Sequence, residues 1–215
     1  MSIYQLKSAF QSLLRPLVIR LAAAGVTANV VTIFAMAVSV QLGMVLFFSS
    51  LMQEAVPGQS IWLLLPIWLF IRMALNAIDG MLAREHGQKS NLGAILNEVG
   101  DVIADAALTM PFLILAWRLD DPIAVPLVFT ALILAMITEF IGVLGPMLGA
   151  SRRYDGPLGK SDRAFVFGAL ALVYGLGLIP MGVPVLSWVF GIASLLLLAT
   201  CIKRARAMLA EVNNA

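Results

Sequence analysis

The sequence predicts an all-α polytopic membrane bundle: six transmembrane helices preceded by an amphipathic interfacial helix. Three observations lead there. Of 215 residues, 61% are apolar, against about 45–50% in an ordinary soluble domain. Charged residues make up 12%, about half the usual quarter. Apolar stretches of about 20 residues, the length that crosses a bilayer, recur along the chain. A soluble fold of this size must present a wetted surface and has no room to hide so much apolar side chain. A disordered chain would be polar and charged. No internal repeat, low-complexity tract or long linker interrupts the pattern, so 1–215 is expected to form a single domain, with the interfacial helix, 2–20, inside it.

Each element has its own justification. In residues 2–20, Ile3, Leu6, Phe10, Leu13, Leu14 and Leu17 recur at three- and four-residue steps, with Lys7, Gln11 and Arg15 between them. Such a helix lies in the membrane interface or packs on the bundle surface. From Thr27 to Ser50 there is no charged residue, and Thr27 with Asn29 can cap the start of this first crossing. A loop with Glu54, Pro57 and Gly58 follows. The second crossing runs from Ile61 to Ala83, the third from Asn91 to Trp117, and the fourth from Ile123 to Leu148. The fifth covers Arg163 to Ile179, and the sixth Val183 to Ile202. The first residues lack the features of a cleaved signal peptide, so membrane entry is expected through the first crossing.

Charge sets the orientation. Of fourteen Lys and Arg, twelve fall on the side that holds the N-terminus, Arg118 alone falls on the other, and Arg72 lies within a helix. Basic residues collect on the cytoplasmic side, so both termini are expected there, in what reads as a bacterial inner membrane. Formal charge is +2, which leaves no nucleic-acid footprint. One histidine, His86, excludes multi-His metal sites, and the lone Cys201 excludes an internal disulfide.

Polar residues inside the second and third crossings carry the functional information. Carboxylates in a membrane helix are costly and face protein or water. Asn76 and Asp79 are three apart and share a helix face. Asn97, Asp101 and Asp105 form a stripe at four-residue steps, about 12 Å long, with Gly93 one turn earlier and Glu98 beside it. Clustered carboxylates repel unless a cation bridges them. Oxygen donors without His or Cys suit Mg²⁺ or Mn²⁺. Gly80 and Ala83 leave the backbone open, and Arg84 offers a fork that matches phosphate. A phosphate or diphosphate ligand follows from that combination.

The run Asn76-Ala77-Ile78-Asp79-Gly80-Met81-Leu82-Ala83-Arg84, continued by Gly93, Asn97 and Asp101, resembles the signature of the CDP-alcohol phosphatidyltransferase family, D-x2-D-G-x2-A-R-x8-G-x3-D-x3-D. Every spacing is kept. The first and third aspartates of that pattern are Asn76 and Asn97 here, which removes two negative charges and would either weaken a two-ion cluster or favour a single ion. Glu98 and Asp105 are near enough to replace part of the charge. The family's architecture, an amphipathic helix before six crossings in a homodimer, matches the reading above.

The resemblance implies transfer of a phosphatidyl group from a CDP-linked lipid such as CDP-diacylglycerol to an alcohol, with release of CMP. It places the nucleotide and diphosphate at Asp79, Gly80, Ala83, Arg84 and Gly93. Asn76, Asp79, Asn97 and Asp101 are its metal ligands, with Asp105, one turn deeper, a further candidate ligand from its position, and Asp101 is the general base toward the acceptor hydroxyl. Arg152 and Arg153, in the basic loop 151–163, are candidates for an acceptor phosphate, although cytoplasmic loops are basic in any case. Glu139, inside the fourth crossing, either pairs with Arg72 or reaches the acceptor pocket. Gly142, Gly145 and Gly149 read as close helix contacts. Two alternatives stand beside this one: a catalytically inactive relative, motivated by the two asparagines, and a membrane transporter. A transporter would spread its polar residues across the bilayer in repeated halves, whereas these crowd toward one side.

Overall fold

The computed structural model describes residues 3–52, 58–180 and 182–214, which form helices and turns without a strand among them. Eight α-helices follow one another: α1 Ile3–Ala23, α2 Ala28–Leu51, α3 Leu64–Glu85, α4 Asn91–Thr109, α5 Pro111–Arg118, α6 Ala124–Leu144, α7 Lys160–Gly175 and α8 Val185–Asn213. Short 3₁₀ turns at Gln59–Leu63 and Pro146–Leu148 precede α3 and follow α6. Glu54 and Pro57 of the expected loop lie outside the described residues.

Five helical stretches are long and apolar enough to cross a membrane: Ala28–Leu51, Gln59–Glu85, Asn91–Arg118, Ala124–Leu148 and Val185–Asn213. The expected fifth crossing corresponds to α7, whose 16 residues fall short of the roughly 20 that a span needs. Large apolar side chains such as Phe34, Phe70, Phe129 and Trp188 are exposed on the outside of their helices. That pattern needs lipid rather than water around it. Pro111 divides the third stretch into α4 and α5, because it has no N–H to give and clashes with a continuing helix. Pro66 and Pro126 sit in first turns, where no N–H is needed.

Packing divides the chain into two compact units. Unit 1 comprises Met1–Gln41 and Ile67–Asp105. Its core is Val18 of α1, Ala28 and Val31 of α2, and Ile78, Met81 and Leu82 of α3, with Leu14 and Leu21 packed against it. Leu13 and Leu17 of α1 point outward, so this helix both packs on its unit and offers an apolar strip to the interface. Thr27 caps α2 by accepting from the Val30 N–H at 3.3 Å. Gln88, from the short turn between α3 and α4, accepts the Ala28 N–H at 2.7 Å and thereby ties that turn to the start of α2. Arg15 of α1 pairs with Glu85 at the end of α3 at 2.9 Å. The hydrogen bond and charge of Glu85 raise the Arg15 pKa.

Unit 2 comprises Leu42–Pro66 and Ala106–Ala215. α6 and α8 lie along one another, and an aromatic cluster fills the centre. Trp62 meets Phe112 and Tyr174 edge-on, and Phe112 and Phe167 both pack on Phe190. Asp121, which the sequence places in a plain loop, is buried; its carboxylate accepts from the Ser187 N–H at 2.9 Å and from the Ser187 hydroxyl. It therefore caps α8 from a distance, since Pro184 at the N-cap has no side-chain bond to give. Replacing a capping carboxylate by alanine removes about 1 kcal/mol. Asp121→Ala is thus expected to lower the thermal midpoint in detergent by a few degrees, and an unchanged midpoint would remove the capping assignment.

Candidate active site

The polar face of unit 1 is built on the α3–α4 hairpin. The turn between the helices, 86–90, is short enough to force them antiparallel, and Ser90 opens α4 by accepting the Gly93 N–H at 3.0 Å. Arg72 fixes the register. Its guanidinium donates to Asp105 Oδ1 at 2.5 Å, to Asp101 Oδ1 at 3.1 Å and to the Asp101 carbonyl at 3.3 Å. Moving one turn along α3, from Arg72 to Asn76, moves one turn back along α4. Asn76 therefore lies level with Asn97 and Asp101, and Asp79 falls nearer the Gly93 end.

α2 completes this face. Asp79 is 6% exposed, and its Oδ2 accepts from Thr32 Oγ1 of α2 at 2.9 Å. A Cβ on Gly93 would stand 2.7 Å from Asn29 Oδ1, and one on Gly100 would stand 3.8 Å from the Thr32 methyl. Glycine at these positions lets α2 approach α4 closely, and Thr32 then lies against both Asp79 and Gly100. A Cβ on Gly80 would meet the Arg84 guanidinium at 2.9 Å. The missing side chain is what allows Arg84 to fold back over the α3 backbone. Ala83 is half-buried beside it, while Arg84 itself is exposed.

Among the described residues, no group of three or more His, Cys, Asp and Glu side chains is placed to hold a metal ion. The donors at the facing register are instead two carboxylates, Asp79 and Asp101, and two amides, Asn76 and Asn97. Four oxygens carrying two negative charges match one hard divalent cation. The residues present fit a single ion.

Glu139 does not meet Arg72. Arg72 is held within unit 1 by Asp101 and Asp105, and Glu139 is held within unit 2 by Arg163 at 3.1 Å, Arg204 at 3.8 Å and Arg152 at 3.9 Å. Of the two readings of Glu139, the one that pairs it with Arg72 gives way to ion pairs that each residue makes within its own unit. Arg163 and Arg204 are buried, and Arg204 also donates to the carbonyls of Thr138, Tyr154 and Asp155. The glycines of α6 explain how the basic loop reaches this place. A Cβ on Gly142 would lie 2.7 Å from the Arg153 carbonyl, and one on Gly145 would lie 2.4 Å from the Ser151 carbonyl. The loop thus folds back onto α6 along its glycines, which serve a helix–loop contact rather than a helix–helix one, and Gly149 turns the chain at φ +81°. Arg152 stacks on Tyr154, 4.4 Å above the ring, and Arg153 pairs with Glu211. Around Glu139, three guanidinium groups converge on one carboxylate.

Thr32, Asn29, Arg163 and Arg204 are the residues that sequence reasoning missed. The first two are ordinary polar residues at the start of an apolar helix, and the last two were counted only as cytoplasmic charge.

The class defined by these features is a helical membrane protein with an oxygen-donor, phosphate-matching face on a helix hairpin. Known proteins agree. A family profile described as CDP-alcohol phosphatidyltransferase matches residues 25–200. Inner membrane protein YnbA of Escherichia coli is 47% identical over 97% of both chains. This chain belongs to the CDP-alcohol phosphatidyltransferase family. The phosphatidylinositol phosphate synthase of Mycobacteroides abscessus is 27% identical over 90% of this chain and 83% of its own. The fold is also that of the Mycobacterium tuberculosis phosphatidylinositol phosphate synthase. Its structure with CDP-DAG bound aligns at a TM-score of 0.73 over 92% of both chains, at 24% identity. Its complex with manganese and citrate aligns at 0.70 over 90% of this chain and 87% of that one, at 22% identity.

Proposed function

We propose that the protein transfers a phosphatidyl group from a CDP-linked lipid, such as CDP-diacylglycerol, to an alcohol and releases CMP, as a step of phospholipid synthesis in a bacterial inner membrane. The observation that supports this reading most is the register of the α3–α4 hairpin, in which Arg72 of α3 pairs with Asp101 and Asp105 of α4. Family membership and the named relatives support the donor class. Loop charge supports an orientation with both termini cytoplasmic, and the family resemblance supports a homodimer.

The residues have separate tasks. Arg84, lying over Gly80, binds diphosphate oxygens, with Ala83 and Gly93 leaving room for the nucleotide. Asp101, oriented by Arg72, accepts the proton of the acceptor hydroxyl. The acceptor oxygen then forms a bond to the lipid-side phosphorus, and the bond from that phosphorus to the CMP oxygen breaks. Mg²⁺ or Mn²⁺ would be held by Asn76, Asp79, Asn97 and Asp101 and would supply charge neutralisation for the diphosphate. Arg152 and Arg153 hold a phosphate on the acceptor, while Glu139 sets the position of the surrounding arginines. The guanidinium groups converging on Glu139 favour a phosphorylated polyol over a neutral alcohol.

A second reading, an inactive lipid-binding relative, is favoured by Asn76 and Asn97, which weaken the metal site. Turnover separates the two. Purified protein supplied with labelled CDP-diacylglycerol, Mg²⁺ or Mn²⁺, and serine, inositol, inositol phosphate or glycerol phosphate is expected to release CMP only with metal, fastest with a phosphorylated acceptor. Donor binding without CMP release from any acceptor would leave the inactive reading standing.

A further inference from the structure

Charge in unit 1 does not balance around ions alone. The α3–α4 face carries Asp79, Asp101 and Asp105 as carboxylates, with Glu98 beside them, and Asn76 and Asn97 as neutral amides. Two carboxylates neutralise one divalent cation, and Asp105 adds a third carboxylate. It lies one helical turn beyond Asp101, and Arg72 spans the two, binding Oδ1 of each. Arg72 is 4% exposed, and its charge is permanent, since guanidinium does not deprotonate in proteins. An ion placed between Asp101 and Asp105 would have to displace that buried cation and leave it without its carboxylates, which is strongly unfavourable.

We propose that Arg72 occupies the place of a divalent cation beside Asp101 and Asp105, so that the site takes up one metal ion per chain and Asp105 anchors Arg72 instead of ligating metal. This rests on the metal-binding reading above and deepens it. Arg72 is then a positioning residue: it fixes the Asp101 side chain through one oxygen and its backbone through the carbonyl. The two asparagines belong to the same design. With an arginine supplying positive charge, the face needs fewer aspartates, and a second dication would meet less negative charge than four aspartates would supply, against repulsion from both the first ion and Arg72.

Manganese titration of the full chain in detergent tests this, with bound ions counted by loss of the aqueous Mn²⁺ spin-resonance signal and by calorimetry. The wild-type chain is expected to bind one ion. Asp105→Asn should keep one ion with its Kd within about threefold, whereas Asp79→Asn should weaken binding by at least about tenfold, as loss of a supporting group at a metal site commonly does. Arg72→Gln should admit a second ion, because the guanidinium that bridges Asp101 and Asp105 is then gone. Two ions on the wild type, a single ion on folded Arg72→Gln, or a loss in Asp105→Asn as large as in Asp79→Asn would each overturn the proposal while leaving metal binding intact. No ion on the wild type would overturn the metal reading itself. Should Arg72→Gln fail to fold, the comparison of Asp105→Asn with Asp79→Asn decides alone.

Discussion

Asp79→Asn and Asp101→Asn are each expected to reduce CMP release by about 10²–10⁴-fold, the range typical for removing a positioned acid–base group. Both changes keep the size and shape of the side chain. At position 79 an amide oxygen can still accept from Thr32, so unit 1 should remain folded. What disappears is charge, at a face that holds asparagine at two of four donor positions. The two variants should fail differently. Asp79→Asn should raise the metal concentration needed for half-maximal rate, and excess metal should recover part of the activity. Asp101→Asn should lower kcat even at saturating metal, because no base remains to take the hydroxyl proton. Unchanged turnover in both variants would refute the site assignment. Identical metal rescue in both would make Asp101 a ligand only and remove its role as base.

The contrast between these residues and their neighbours shows where sequence reasoning succeeds. Asn76, Asp79, Asn97 and Asp101 are legible because helix periodicity is local: residues three or four apart share a face whatever surrounds them. The short turn at 86–90 then makes their two helices neighbours. The same turn contained an unused signal. A hairpin closing around Gln88 sets Arg72 opposite residues near 104, so the pairing with Asp101 and Asp105 follows from counting outward from the turn. Pairing Arg72 with Glu139, one of the two readings of Glu139, rests on charge and depth and leaves that register out. Thr32 had no comparable signal, because a threonine in an apolar helix usually bonds its own backbone, and Thr32 Oγ1 also lies 3.1 Å from the Ala28 carbonyl. Gly142 and Gly145 were legible as close contacts but not as a seat for the returning loop. Hydropathy marks where a helix runs and says nothing of which backbone crosses it. Hydropathy also overstated α7, where apolar residues continue to Ile179 but the helix ends at Gly175 and Gly177 turns the chain at φ +74°.

Glu139→Gln is expected to destabilise the protein by about 3–5 kcal/mol, the usual consequence of removing one partner from a buried ion pair. For a chain of this length that is a fall in thermal midpoint of about 6–20 °C. The size of the effect follows from the arginines more than from the glutamate. Arg163 and Arg204 are 3% and 1% exposed, and neither can reach water or lose its proton once the carboxylate is gone. Arg204 retains the carbonyls of Thr138, Tyr154 and Asp155 as acceptors, whereas Arg163 loses the charged partner that it holds at 3.1 Å and keeps the Thr138 hydroxyl at 3.4 Å. Glu139→Gln combined with Arg163→Met should therefore recover a large part of the lost stability, because the second change removes a buried charge that has lost its carboxylate at 3.1 Å. The recovery measures the coupling between the two residues. A loss below about 0.5 kcal/mol in the single variant, the range of an ordinary surface change, would mean that water reaches these arginines. In that case Glu139 would be free to contact the acceptor directly instead of holding the basic cluster in place.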